Sequence, residues 1–490
     1  MFSIPSSTQV LVIGGGPAGA TAAALLARAG FSVVLAERDQ FPRYHIGESL
    51  LPSALHFLDI TGAREKVEAQ GFQRKPGAHI EWGSQQWDLF FGELSGENTY
   101  SFQVVRSEFD QCLLDHARDV GATVYQGLEV REIRFSEAGR PVAAVVAPSE
   151  QRGQEQTLQF DYLVDASGRS GLMVTRYLNS RYYHDAFKNV AVYGYWKNAA
   201  GFTGPKTGAI ATISIPYGWI WAIPLHDGTM SVGVVLHKDN FKERREHSSI
   251  EAIYEAALAE APTIAAMVEP ATLVSEIRAE TDYSYAAEQF AGPGYFISGD
   301  AACFLDPLLS TGVHLAMLSG LLAAASIASI DNGEVSEGEA IAFYDKSYRR
   351  AYLRYLVFLS AFYDQYDGKE SIFWIAGQLS RRDTPPNQLK QAFTTLMSGV
   401  EDLVDLHDGD VARSYVRQQM SQRMQENLTM RTDKELMAEE ALEPQRQANH
   451  AFFDRVEGIS ILSANDAVQG MYVRIQPSLG LSRVEAIMSA

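Results

Sequence analysis

The chain has little cysteine, little tryptophan and a shortage of positive charge. Two cysteines in 490 residues, Cys112 and Cys303, make no disulfide framework and no cysteine metal cluster. They fit a reducing compartment, so a cytoplasmic protein is expected. The 41 Lys and Arg stand against 60 Asp and Glu, a net charge of −19. That sign disfavours nucleic acid and anionic membrane surfaces as partners. The opening MFSIPSSTQV has no basic stretch followed by an apolar one, so no signal peptide is expected. The longest near-apolar run, residues 315–330, is rich in Ala and Ser and short for a membrane span, which predicts a buried helix. Repeats and low-complexity tracts are also missing. The length exceeds what one core organises, so two or three packed units are expected.

What is present begins at residue 8. TQVLVI is a short β-rich run, GGGPAG follows, and TAAALLARAG is a helical pattern closed by Gly30. SVVLAER then supplies a second strand ending on Glu37 and Arg38. Strand, glycine turn, helix, strand and acid, in that order, are the parts of a dinucleotide site. Gly14 permits the tight turn, Gly16 and Ala18 open the helix to a pyrophosphate, and Gly19 allows close helix–strand packing. The helix N-terminus offers free N–H groups and a positive dipole end. Glu37, about twenty residues on, can accept from a ribose. Two later strands end in acids: FDYLVDASGRSG (residues 160–171) and FISGDAACFLDP (residues 296–307). Asp300 could hold a ribityl hydroxyl, a group that only a flavin carries.

This set resembles the flavoprotein hydroxylase superfamily, with DASG as a variant of its DG motif. The resemblance implies FAD, with Arg106 of VVRSEFD near the cofactor. Four further stretches narrow it: FPRYHIGESLLP (41–52), GFQRKPG (71–77), GWIWAIP (218–224) and DPLLSTGVHLA (306–316). Together they resemble flavin-dependent halogenases over most of residues 8 to 365, and WIWAIP fits that family's WxWxIP signature. The opening SIPSSTQVLVIGGGPAG and the closing QGMYVRIQPSLGL look most like fungal-type enzymes of polyketide secondary metabolism.

The resemblance implies a division of labour. Reduced FAD, supplied by a separate NAD(P)H flavin reductase, and oxygen oxidise chloride to hypochlorous acid. No second GxGxxG lies in the chain to bind a nicotinamide. Lys75 then directs the halogen to an aromatic carbon. A lysine can hydrogen-bond hypohalous acid or be chlorinated to a chloramine, whereas the guanidinium of neighbouring Arg74 stays protonated. Thr311 and Gly312 are the expected chloride ligands and Val313 lies against the flavin. A plain N-cap by Ser310 or Thr311 is the ordinary alternative. Glu48 is placed near flavin and lysine, where it relays protons or positions Lys75; otherwise it caps the following helix. Alternation puts Trp219 and Trp221 on one strand face. They guard the flavin from organic substrate, or they are core aromatics. The tryptophan-specific enzymes carry a glutamate shortly after the GD motif. DPLLSTGVHLA has none, which points to a phenolic substrate and leaves the base unnamed.

The expected fold is α/β. A Rossmann-like FAD-binding domain takes residues 1–75, 101–175 and 286–335. An interleaved substrate-side β-sheet takes 76–100 and 176–285, where Trp82, Phe90, Tyr193 and Tyr195 are candidate pocket walls. A C-terminal helical region, 336–490, covers the substrate site, with an exposed amphipathic helix within 405–450. The substrate is a free phenolic polyketide or a phenol tethered to a carrier protein. The rivals are an FAD-dependent aromatic hydroxylase or reductase, which needs neither Lys75 nor the Trp pair, and a flavin-binding scaffold without activity.

Overall fold

The glycine turn decides how the first layer forms. β1 (Ser7–Ile13) runs into Gly14, and α1 (Pro17–Arg28) starts three residues later. Gly14 has φ +100°, and a Cβ there would lie 2.2 Å from the Ala166 carbonyl oxygen. Gly19 sits where α1 crosses back, and its Cβ would lie 1.9 Å from the Gly14 oxygen. Only glycine lets helix and strand meet this closely. β2 (Val33–Glu37) then pairs parallel with β1.

The structure is a computed structural model that describes residues 4–91, 100–150, 153–364, 461–462, 464 and 467–484. The first sheet has eight strands. β1 is flanked by β2 and by Gln156–Asp165, with Tyr295–Ile297 and Thr123–Gln126 extending it in parallel. The strands before Gly14, Ala166 and Ser298 therefore all end on one edge. In open α/β sheets that edge is where ligands bind. A meander, Leu128–Phe135 and Pro141–Pro148, adds antiparallel to Gln156–Asp165.

The second sheet has nine strands and is largely antiparallel. Its centre is Arg181–Lys197, Thr229–His237, Gly218–Pro224 and Ile210–Ile215. The pleat sorts side chains between two cores. Trp219, Trp221, Tyr193 and Val235 face the first sheet, whereas Ile220, Ala222, Val232 and Val234 face away. The outer face packs on the helices Lys238–Arg245, Ile250–Ala259 and Pro262–Val268. The reading of 176–285 as a β-sheet unit did not include these helices. Ser249 marks the second of them, its side chain accepting from Ala252 N–H at 3.2 Å.

The helix Gly312–Asp331 is long and apolar enough to cross a membrane, but 94% of its apolar window is buried inside the fold. It lies between α1 and the helix Glu337–Asp364, as its composition predicts. Beyond that last helix the chain is not helical throughout. Met471–Arg474 and Gly480–Arg483 form a hairpin docked on Gly312–Asp331, with Leu481 N–H donating to Ser329 Oγ at 2.6 Å. The alternating burial of MYVR fits a strand, a signal hidden by the helical pattern before it. The amphipathic helix expected within 405–450, and the FW end of the FYD…FW run, lie outside the described residues.

Replacing Gly19 with Ala forces α1 off the turn. The expected result is a loss of about 1–3 kcal/mol in denaturant unfolding, together with weakened flavin binding in a fluorescence titration.

Candidate active site

A cavity of about 620 Å³ lies along the edge where the parallel strands end and beneath the inner face of the second sheet. Its lining includes Gly14, Gly16, Ala18, Glu37 and Arg38, then Glu48, Arg106 and Asp300, and also Trp219, Trp221, Gly312 and Val313. Residues scattered over 300 positions of sequence thus line one cavity.

Several of these residues have structural work as well. Glu37 accepts from Gly15 N–H at 2.7 Å and from Asp39 N–H at 2.7 Å, bracing the glycine turn. Asp165 accepts from Ser167 N–H and Met173 N–H, which explains the DASG turn as a brace. Arg106 is buried and holds Asp110 through both Nε and Nη2, at 2.9 and 3.0 Å. Its Nη1 donates to the Ile46 and Gly47 carbonyls, so it pins the loop that carries Glu48. Asp300 faces the cavity, and desolvation pushes its carboxyl up to about 6.

Glu48 is the most constrained polar group. It is buried, and its two oxygens accept from Tyr195 OH at 2.5 Å and Ser231 Oγ at 3.3 Å. Burial pushes its carboxyl up to about 7, although both hydrogen bonds and Arg106 favour the charged form. Ser231 in turn accepts from Trp221 Nε1 at 3.1 Å. The two indoles lie with ring centroids 5.9 Å apart, and Tyr193 adjoins Trp221 at 6.1 Å. These are a cavity wall and a buried strand face at once.

At the turn into Gly312–Asp331, Ser310 has φ +58° and Thr311 is buried, yet no side chain caps the helix. The plain N-cap is therefore not what this turn uses. Gly312 faces the cavity, whereas Thr311 is not among its walls.

Lys75 does not line this cavity. It ends the strand Gln73–Lys75, which pairs with Ser101–Gln103, and it is 2% exposed. Its Nζ donates to the Leu50 carbonyl at 2.9 Å, two residues past Glu48, and lies 5.4 Å from the Phe91 ring centre. Alternation turns Arg74 to the other face, where its guanidinium covers Tyr100 at 4.4 Å. Of the four candidate aromatic walls, Tyr193 lines the cavity and Trp82, Phe90 and Tyr195 do not. Residues that sequence reading passed over are Tyr44, Arg169, Ser231 and Glu280. Tyr193 OH donates to Glu280 at 2.8 Å, and Arg169 pairs with the same carboxylate at 3.0 Å. The available signal was alternation: in TMSVGVV the small residues Ser231 and Gly233 face the indoles.

Strand–glycine turn–helix, a cavity at the parallel-strand edge and tryptophans in its lining define an FAD-dependent oxidoreductase. The tryptophan halogenase family model matches residues 9–99 and 92–427. A tryptophan 2-halogenase of Chondromyces crocatus is 45% identical, over 98% of this chain and 95% of that one. A flavin-dependent halogenase of Armillaria mellea is 38% identical, over 83% and 80%. Among solved structures, the myxobacterial chondrochloren halogenase superposes with TM-score 0.71 at 32% identity, covering 84% of this chain and 97% of that one. The chain belongs to this family of flavin-dependent halogenases. Its cofactor is FAD, and chloride is the family's general co-substrate. The residues fit that cofactor: a glycine turn with no room for a Cβ at Gly14, the acids Glu37 and Asp300 in the cavity lining, and an aromatic wall of Trp219, Trp221 and Tyr193.

The Glu48 carboxyl gives a stability test. It rises from 4.5 unfolded to about 7 folded, so the native state holds an extra proton in that window and loses stability as pH rises through it. At about 1.4 kcal/mol per unit this amounts to roughly 3 kcal/mol. Glu48→Gln, neutral throughout, is expected to flatten that loss when urea unfolding is compared at about pH 5 and pH 8.

Proposed function

We propose that this halogenase chlorinates a phenolic small molecule of the polyketide type, with Lys75 directing the halogen. The observation that carries this reading is the placement of Lys75. An ammonium-bearing side chain buried on a strand is costly and is not how a solvated loop lysine sits. Bound reduced FAD supplies, with oxygen, the electrons' change of hands that oxidises chloride. The chain's own residues do the rest. Gly14, Gly16, Ala18, Gly19, Glu37, Arg38, Arg106 and Asp300 hold and orient the cofactor, and Val313 packs on it. The turn at Thr311 and Gly312 holds chloride. Trp219 and Trp221 keep an aromatic substrate off the flavin. Glu48 holds a proton beside them. Lys75 receives the oxidised halogen and presents it to the ring.

Phenol is favoured by the run DPLLSTGVHLA, which holds no glutamate. An indole base is thereby missing, and a phenolate needs less help. A sulochrin halogenase of Aspergillus terreus, 39% identical over 74% of this chain, supports the same direction. One observation favours a second reading: the relative at 45% identity is named for tryptophan. Reduced flavin comes from a separate reductase by transient encounter, in keeping with one GxGxxG in the chain. A carrier-tethered phenol is the variant of the first reading, and like charge makes it second, since carrier proteins are usually acidic too. Residues 1–75, 101–175 and 286–335 act as the flavin unit and 76–100 with 176–285 as the substrate-facing sheet. Two unpaired thiols, Cys112 and Cys303, fit a cytoplasmic enzyme.

The test incubates the protein with FAD, a flavin reductase, NADH, oxygen and chloride, offering a resorcinol-type phenol and free tryptophan separately and mixed. Mass spectrometry is expected to show the chlorine isotope pair on the phenol. Lys75→Ala should reduce it on the order of 100-fold while FAD still binds. Chlorinated tryptophan with untouched phenol would overturn the substrate reading, and full activity in Lys75→Ala would overturn the lysine's role.

A further inference from the structure

Oxidising chloride in this site takes up a proton. For the neutral reduced cofactor, FADH2 + O2 + Cl− + H+ gives FAD + HOCl + H2O. Oxygen is reduced, flavin and chloride are oxidised, and charge balances only with that proton. The substitution that follows, ArH + HOCl giving ArCl + H2O, takes up none. Release of hydrogen peroxide, FADH2 + O2 giving FAD + H2O2, takes up none either. Of the three, only halide oxidation draws on a proton supply to the cavity.

A line of hydrogen bonds runs from a part-exposed tyrosine of the cavity lining to a buried carboxyl in the same lining. Tyr44, on the FPRYHIGES stretch, is 43% exposed. Its hydroxyl is 3.0 Å from Tyr195 OH. Tyr195 OH donates to Glu48 Oε1 at 2.5 Å, and Glu48 borders the cavity beside Trp221. Ser231 occupies the second carboxyl oxygen and so fixes the carboxyl plane. The charged groups around the line are Arg106 near Glu48, Arg278 over the Tyr44 ring at 4.6 Å, and Glu280 near Tyr44. Tyr193, stacked on Tyr44 and hydrogen-bonded to it, donates to Glu280 and so forms a side branch that ends on that carboxylate.

We propose that Tyr44, Tyr195 and Glu48 form a proton line that recharges Glu48, with Glu48 as the proton donor to the flavin cavity. The inference rests on the halide-oxidising reading above. After Glu48 gives its proton, Tyr195 passes its own to the carboxylate and takes one from Tyr44, which takes one from water. Both phenols end as they began, and one proton has moved inward. A carboxyl held near neutrality by burial suits this, because it can give and regain a proton at working pH.

The test compares wild type, Tyr195→Phe and Tyr44→Phe as FAD holoenzymes with reductase, NADH and chloride. Hypochlorous acid is trapped with taurine and no aromatic substrate, so neither Lys75 nor the substrate class enters. Tyr195→Phe is expected to lower trapping on the order of 100-fold at about pH 8, less at about pH 6, with peroxide rising in its place. Tyr44→Phe is expected to lower it by a smaller factor with the same pH trend. A second readout needs no cofactor: infrared titration of the Glu48 carboxyl in apoprotein, with Glu48→Gln to assign the band. Tyr195→Phe should raise its midpoint, since the lost hydroxyl favoured the carboxylate. Wild-type trapping and pH profiles in both Phe variants would overturn the line. So would a drop that is uniform in pH and accompanied by lowered melting temperature. No trapped oxidant from wild type would instead overturn the halide-oxidising reading.

Discussion

The structure turns on a buried carboxylate that joins its two sheets. Glu48 comes from the loop after β2, on the flavin side, while Tyr195 and Ser231 come from the second sheet. Burying a carboxyl is unfavourable unless partners meet it. The partners must therefore arrive at fixed positions, and the seam between the sheets closes to one geometry. Arg106 enforces the same arrangement from behind by holding Ile46 and Gly47. The cavity's shape, the seat of Trp221 and the position of the segment that Lys75 grips all follow from this seam.

A second consequence is separation. The indoles and Tyr193 fill the cavity wall, and Lys75 lies outside that cavity on a different small sheet. Yet the two places share one segment, since Glu48 faces the cavity and Leu50 receives Lys75 Nζ. The chemistry proposed above, with a small oxidant that diffuses, calls for such a separation. A hydroxylase has the opposite requirement, because its substrate must lie against the flavin.

The legible parts were those with local physics. The turn at Gly14, the approach at Gly19 and the buried apolar helix Gly312–Asp331 each follow from neighbours in sequence and from sterics. The common face of Trp219 and Trp221 follows from a period of two. The helices Lys238–Arg245 to Pro262–Val268 were readable in principle through the Ser249 cap, but β-rich flanks masked them. The hairpin Met471–Arg474 with Gly480–Arg483 was obscured because a helical pattern before it set the expectation.

By itself the sequence determined the fold class, the dinucleotide turn and the family, because backbone conformation at glycines and short-period alternation are written locally. Only the tertiary structure decided which polar groups meet. Tyr44, Tyr195, Glu48 and Ser231 lie up to 187 positions apart, and nothing in their spacing foretells a hydrogen-bonded line. The same holds for the burial of Lys75 against the Leu50 carbonyl and for its absence from the flavin cavity. Such contacts depend on how two sheets pack, and the energy that selects them is the cost of leaving a buried charge or dipole unmatched.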